Sequence, residues 1–382
     1  MSSIYIHIPF CIEKCTYCNF FSVTDLSLRE QYIDALLKEM CFREEYLQHQ
    51  PIDTLYFGGG TPSVFPPETI ERIVRRIDAV FHLKPKAEIT LEANPNNLNE
   101  EYFKRLSQTA INRLSIGIQS FNDEHLQVLG RIHNGKQAEI CLELAEKYRF
   151  ENLSIDLMYG YPLLTENQWV ENLEKVRNVN HLSCYALSLE PHSVLSKQIK
   201  LGKYRLPDEE IVVNQYNTLT SFAKENHFIH YEISNFCKSD QFSKHNTAYW
   251  QNEAYIGLGT AAHSFNQSER QWNISDVKTY ISILSEINTK QEWENLKHKL
   301  FEKEVLTPAM QLNEYLMTSL RTCWGCDLNY VKKHFGEDSY LLLQQKVNQL
   351  NTDFYLLKND CLILSQRGFL FADAIACDLF FE

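Results

Sequence analysis

No stretch of this 382-residue sequence approaches the roughly 20 consecutive apolar residues of a membrane-spanning helix. The opening MSSIYIHIPF lacks the basic head and long apolar stretch of a signal peptide. A basic excess is missing too: 37 Lys and Arg face 49 Asp and Glu, a formal charge of −12. That balance speaks against a general nucleic-acid binder, which needs a basic footprint. No internal repeat and no low-complexity linker is present. The eleven cysteines are odd in number and scattered, unlike a disulfide framework. The expectation is a cytoplasmic protein that reaches a membrane only through a partner.

What is present is core material. Hydrophobic residues make up 44% of the chain, with 22 Phe and 20 Tyr, enough for one large domain and a smaller one. Alternating runs read as strands and 3.6-periodic runs as helices. The strands are SIYIHI, DTLYFGGG, EITLEANP, NRLSIGIQS, NLSIDLMYG and HLSCYALSLEP. Helical patterns separate them, as in 28–47, 66–81 and 136–150. Strands alternating with helices imply parallel pairing through right-handed crossovers. The predicted class is α/β: a partial barrel of six β/α units over 1–200. Residues 201–295 are read as a barrel-completing segment, and 296–382 as a small α+β module of winged-helix type. In such barrels functional residues sit at the C-terminal strand ends. Cys11, Gly58 to Thr61, Glu92, Gln119, Asp156 and Ala186 fall there.

The stretch HIPFCIEKCTYCNFFS places Cys11, Cys15 and Cys18 on one short loop. Structural zinc normally takes four ligands, and a CxxC redox pair has no use for a third. Three thiolates suit three corners of a [4Fe–4S] cube and leave one iron open. S-adenosylmethionine can chelate that iron and accept an electron, and the protein's task is then to position it. The glycines before Thr61 allow close backbone approach. Glu92, Gln119 and Asp156 can bind amino and hydroxyl groups, and Arg131 a carboxylate. Each polar residue alone is better explained as a solvated or structural group; their shared place at strand ends shifts the balance towards a site. The pair Cys323 and Cys326, in CWGC, has no second ligand pair and reads as structural. The remaining six cysteines read as small buried hydrophobes.

YIHIPFCIEKCTYCNF, FGGGTPS, LEANP, NRLSIGIQSF, LGRIH and IDLMYGYP resemble, in order and spacing, the radical SAM family of the haem chaperone HemW. This family is a close relative of oxygen-independent coproporphyrinogen III oxidase. The resemblance covers essentially the whole chain. It implies a cluster on the three cysteines. It implies S-adenosylmethionine contacts at Tyr5, Gly59, Gly60, Thr61, Glu92, Gln119, Arg131, Asp156 and Ala186. Three features separate the chain from the oxidase. Phe20 stands where the oxidase has a further cysteine, only ten residues precede Cys11, and HNTAYW (245–250) matches the chaperone's HNxxYW. The last match implies haem binding by His245, with His263 as second candidate. The resemblance further implies haem as cargo, an acceptor protein (a respiratory one among the options), an electron donor for the cluster, and a homodimer as one possible assembly. The alternative is an oxidase, or another radical SAM enzyme of porphyrin metabolism.

Overall fold

The structure, a computed structural model, describes all 382 residues. Six strands follow the predicted alternation: β1 (Ser3–Ile8), β2 (Ile52–Gly59), β3 (Leu83–Ala93), β4 (Arg113–Gln119), β5 (Leu153–Tyr159) and β6 (His181–Ala186). All are parallel and lie side by side in chain order. Between them run α1 (Arg29–Phe42), α2 (Pro67–Phe81), α3 (Glu100–Leu106), α4 (Asp123–Leu129), α5 (Gly135–Lys147) and α6 (Glu166–Lys175). The apolar stripe of α2 (Ile70, Ile73, Val74, Ile77, Phe81) is buried at helical spacing. It joins Ile4, Ile6, Leu55, Phe57 and Leu91 in one core of 64 residues. Along β1 to β6 the alternate positions turn inward and carry polar and aromatic groups instead.

The segment after residue 200 is more regular than its sequence suggests. Helix α7 (Val194–Lys200) leads into it, and it contributes α8 (Glu209–Glu225), β7 (Ile229–Glu232), β8 (Asn235–Cys237), α9 (Lys244–Trp250), β9 (Tyr255–Leu258), β10 (His263–Phe265) and β11 (Glu269–Asn273). Strand β9 pairs parallel to β1 on the side away from β2, so the parallel series has seven members, not six. Four residues around a Gly-Leu-Gly sequence carry too little periodicity to mark a strand; pairing to β1 makes it one. After α10 (Val277–Glu286) and α11 (Lys290–Leu300), β12 (Phe301–Val305) completes an open sheet ordered β12-β11-β10-β9-β1-β2-β3-β4-β5-β6-β8-β7.

The expected boundary at residue 296 falls inside α11, because β12 still pairs with β11. A second core, of 15 buried residues, spans only Leu312 to Leu379. It is built by α12 (Pro308–Ser319), β13 (Cys326–Asp327), α13 (Leu328–Phe335), α14 (Glu337–Val347), β14 (Tyr355–Lys358), β15 (Cys361–Leu364), α15 (Gln366–Phe369) and α16 (Ala372–Leu379). The CWGC segment is a turn. Gly325 sits at φ +70°, and Cys326 pairs with Leu362. Cys323 N–H donates to Tyr231 O at 2.9 Å, and Thr322 bridges Glu232 antiparallel, so this turn docks the small unit onto β7. Among the lone cysteines, Cys141, Cys184 and Cys237 are buried as expected. Cys41 and Cys361 are half-buried, and Cys377 is exposed.

Candidate functional site

The cysteine loop leaves β1 at its C-terminal end and is pinned at both flanks. Cys11 N–H donates to Val23 O (3.0 Å). Thr16 N–H reaches Leu129 O (3.1 Å), and its hydroxyl reaches Val128 O (2.8 Å), at the end of α4. Gly130 closes that helix at φ +68°, and a Cβ there would meet Thr16 N at 2.9 Å. Glycine is therefore required both by the left-handed cap and by the close approach of the loop. It also delivers the next residue, Arg131, to the cysteines.

All three cysteines line one cavity of about 610 Å³ at the C-terminal ends of the strands. Burial pushes the Cys11 and Cys18 thiols up from their ordinary range. Donors nevertheless face the sulfurs. Thr61 Oγ1 lies 3.5 Å from Cys11 Sγ, and Arg131 Nη1 lies 3.3 Å from Cys15 Sγ. Asn94 joins these two residues, donating to Thr61 Oγ1 (3.0 Å) and accepting from Arg131 Nη2 (2.6 Å). Arg131 also donates to Gly117 O. Hydrogen-bond donors aimed at a sulfur favour the thiolate and tune a bound metal. No three His, Cys, Asp or Glu side chains converge as a single metal ion would require. A cube instead distributes three thiolates over three irons, and this triplet on one cavity wall, with Cys11 buried and Cys15 and Cys18 half-buried, fits it.

Below the loop, Gly59, Gly60, Thr61, Glu92, Gln119, Arg131, Asp156 and Ala186 line the same cavity. Gly59 has φ +106°, and a Cβ on it would overlap the His7 ring. Gln119 also has positive φ, +69°, beside a register shift between β4 and β5. A strained non-glycine residue at a strand end is a mark of a functional position. Its Oε1 accepts from Tyr185 Oη at 2.8 Å. Glu92 accepts from Tyr56 Oη (2.8 Å) and Asp156 from Ser115 Oγ (3.1 Å). Burial raises Glu92 to about 7 and Asp156 to about 6. Two buried carboxyls poised near neutrality suit a ligand that brings positive charge.

Two expected residues stand elsewhere. Tyr5 does not line the cavity. Its ring stacks on Tyr56 (centroids 6.2 Å), and its hydroxyl meets His7 Nδ1 at 3.2 Å, so it acts from behind. His245 lies at the opposite end of the barrel from the cysteines, on α9, which packs against β2. Glu88 accepts from the backbone N–H of Lys244 and His245. Nδ1 of His245 bonds Thr54 Oγ1 (2.7 Å) and Nε2 bonds Tyr249 Oη (2.9 Å), while the ring stacks on Tyr56 at 4.9 Å. Both ring nitrogens are occupied, so His245 cannot ligate iron in this conformation. Asn94, Tyr56 and Tyr185 are site residues that the sequence reading did not select.

A family model described as the Radical SAM superfamily matches residues 5–176. The heme chaperone HemW of Lactococcus lactis is 32% identical over 91% of this chain and 90% of its own length. That of Bacillus subtilis is 37% identical over 88% and 86%. The chain belongs to the HemW family. Its fold is that of coproporphyrinogen III oxidase (HemN) from Escherichia coli, with a TM-score of 0.83 over 99% of this chain and 90% of that one, at 21% identity. The radical SAM match places a [4Fe–4S] cluster and S-adenosylmethionine in this HemW relative. When bound, they supply one-electron reductive cleavage of the sulfonium.

The two carboxyls predict a pH dependence. Folding raises both above their ordinary values of 4.5 and 3.8. Their neutral forms therefore contribute stability that is complete below about pH 4 and is lost as pH rises through about 6 and 7. The stability of ligand-free wild type minus that of Glu92→Gln is expected to fall between pH 5 and 8, by at most about 3 kcal/mol. Denaturant melts at the two pH values measure this; a flat difference would show that Glu92 titrates normally.

Proposed function

We propose that this chain is a haem chaperone, binding haem and passing it to an acceptor protein. Its radical SAM scaffold holds a cluster on Cys11, Cys15 and Cys18 and S-adenosylmethionine against Glu92, Gln119, Arg131 and Asp156. Similarity to two heme chaperones over about nine-tenths of the chain carries this reading. The test sets two assays side by side on anaerobically reconstituted protein: a haem titration followed at the Soret band, and turnover of coproporphyrinogen III. Stoichiometric haem binding without decarboxylation is expected. Decarboxylation at an enzyme-like rate would replace the chaperone by the oxidase reading.

Two histidines compete for the iron. His263 is exposed just past the C-terminal end of β9, its ring in no hydrogen bond and 6.3 Å from that of Trp272. A free imidazole beside an aromatic ring suits axial ligation with macrocycle packing. His245 is favoured by the HNTAYW match, but haem reaches it only after α9 withdraws from Thr54. The structure as it stands favours His263. His263→Ala is expected to shift or abolish the Soret band while iron–sulfur absorbance is unchanged. Loss in His245→Ala alone would transfer the ligand to His245 and require α9 to open.

The acceptor protein belongs to the same proposal, as does a reductant for the cluster.

A further inference from the structure

Two arginines of this protein are buried to within a few per cent, and they differ in one respect. Arg43 is saturated: it pairs with Glu39 (3.2 Å) and donates to Gly257 O, Ser264 Oγ and Gln271 Oε1. Arg113, 1% exposed at the start of β4, makes no hydrogen bond or ion pair through its guanidinium, and its Nε is fully orphaned. Such a charge is costly to bury without an anion or acceptors.

None of its neighbours is bonded to it. His181 is bonded to Ser154 Oγ and Tyr231 Oη, both at 2.8 Å, and the His245 ring is closed as described. Glu92 and Asp156 feel its field but pair with Tyr56 and Ser115. Thr90, its register partner on β3, is also buried with an unpaired hydroxyl. Arg113 lines the same cavity as the cysteines, together with Ser154, Ser183 and Asn246, so its end is continuous with the site above. The unpaired Oδ1 of Asn235 adds one acceptor to this wall.

We propose that the inner end of the cavity is a carboxylate subsite, with Arg113 as its recognising cation. One guanidinium presents a planar fork that matches one carboxylate. A single cation beside two carboxyl side chains suits a monoanion better than a phosphate dianion. The carboxylate comes either from a small free acid or from a propionate arm of the cargo. The second source rests on the haem reading above.

The experiment uses cluster-loaded protein under anaerobic conditions, with wild type, Arg113→Gln and Arg113→Lys. In the first arm, sodium formate replaces sodium fluoride at constant ionic strength and thermal unfolding is followed. Formate is expected to raise the melting temperature of wild type, partly that of Arg113→Lys, and not that of Arg113→Gln. In the second arm, haem is compared with haem dimethyl ester. If the cargo supplies the carboxylate, the ester binds wild type at least tenfold more weakly than haem, and Arg113→Gln removes the difference. Equal binding of haem and ester, with a formate effect confined to residues 113 Arg and Lys, assigns the subsite to a free acid. A formate response and a haem-to-ester ratio both independent of residue 113 overturn the proposal. Should wild type bind no haem at all, the chaperone reading fails while the formate arm still decides the subsite. Should Arg113→Gln not fold, Arg113→Lys decides: formate and ester behaviour identical to wild type counts against a forked contact and overturns the assignment.

Discussion

Alanine at any one of Cys11, Cys15 and Cys18 is expected to strip most of the iron from anaerobically reconstituted protein. Each thiol is one of three that the loop offers, and no other cysteine lines the cavity to replace it. The effect is large because ligation is collective: a cube held at two corners has two open irons and is lost to solvent. Iron and sulfide analysis, with absorbance near the thiolate-to-iron bands, makes the measurement. Unchanged loading in all three variants would remove the loop as the cluster site. Circular dichroism should stay close to that of wild-type apoprotein, because the loop is held by Thr16 and Cys11 backbone bonds that these substitutions leave in place. Since burial raises the Cys11 and Cys18 thiols, loading also releases protons and should improve as pH rises from 6.5 to 8.5.

The double change Glu92→Gln, Asp156→Asn is expected to weaken S-adenosylmethionine binding by two orders of magnitude or more with the cluster intact. A charge-assisted hydrogen bond is worth about 1.5–3 kcal/mol, so two lost together amount to about 3–6. The two carboxyls lie on β3 and β5, with β4 between them, and Glu92 feels the charge of Asp156, so the double variant need not equal the sum of the single ones. Equilibrium binding to cluster-loaded protein gives the answer, with iron content as the control. Affinity within twofold of wild type would place the ligand's charged groups elsewhere. The isosteric amides keep the Tyr56 and Ser115 contacts available, which separates loss of charge from loss of packing.

The legible parts of the protein were those with a short-range signature. The six alternating strands, the cysteine loop and the residues at strand ends all follow from periodicity and from the rule that parallel strands present their C-terminal ends to ligands. Asn94 escaped because its role is relational: it matters only because Thr61 and Arg131, 33 and 37 residues away in the chain, meet on it. Tyr56 and Arg113 did carry a signal. Tyr56 shares period-two phase with Gly58, and Arg113 with Ser115, Gly117 and Gln119, so both point into the barrel. Strand β9 was illegible because it is short and glycine-flanked; only β1 beside it makes it a strand. The case of His245 is the reverse. Its motif is plain in the sequence, but its hydrogen bonds to Thr54 and Tyr249 depend on where α9 comes to rest against β2.

An open sheet of twelve strands has two unpaired borders, and each is guarded by a different device. On β12 the sequence FEKEV places Glu302, Lys303 and Glu304 in solvent, where charge deters another chain from adding itself. On β7 the deterrent is not charge but cover: Thr322 occupies the border opposite Glu232, and Ile233 N–H is taken by Arg321 O at 3.1 Å. The small C-terminal unit is thus a lid on a sticky seam as well as a module in its own right. Cutting the chain after Val305 would bare this seam, and the shortened protein would be recovered in aggregates rather than as a smaller soluble barrel.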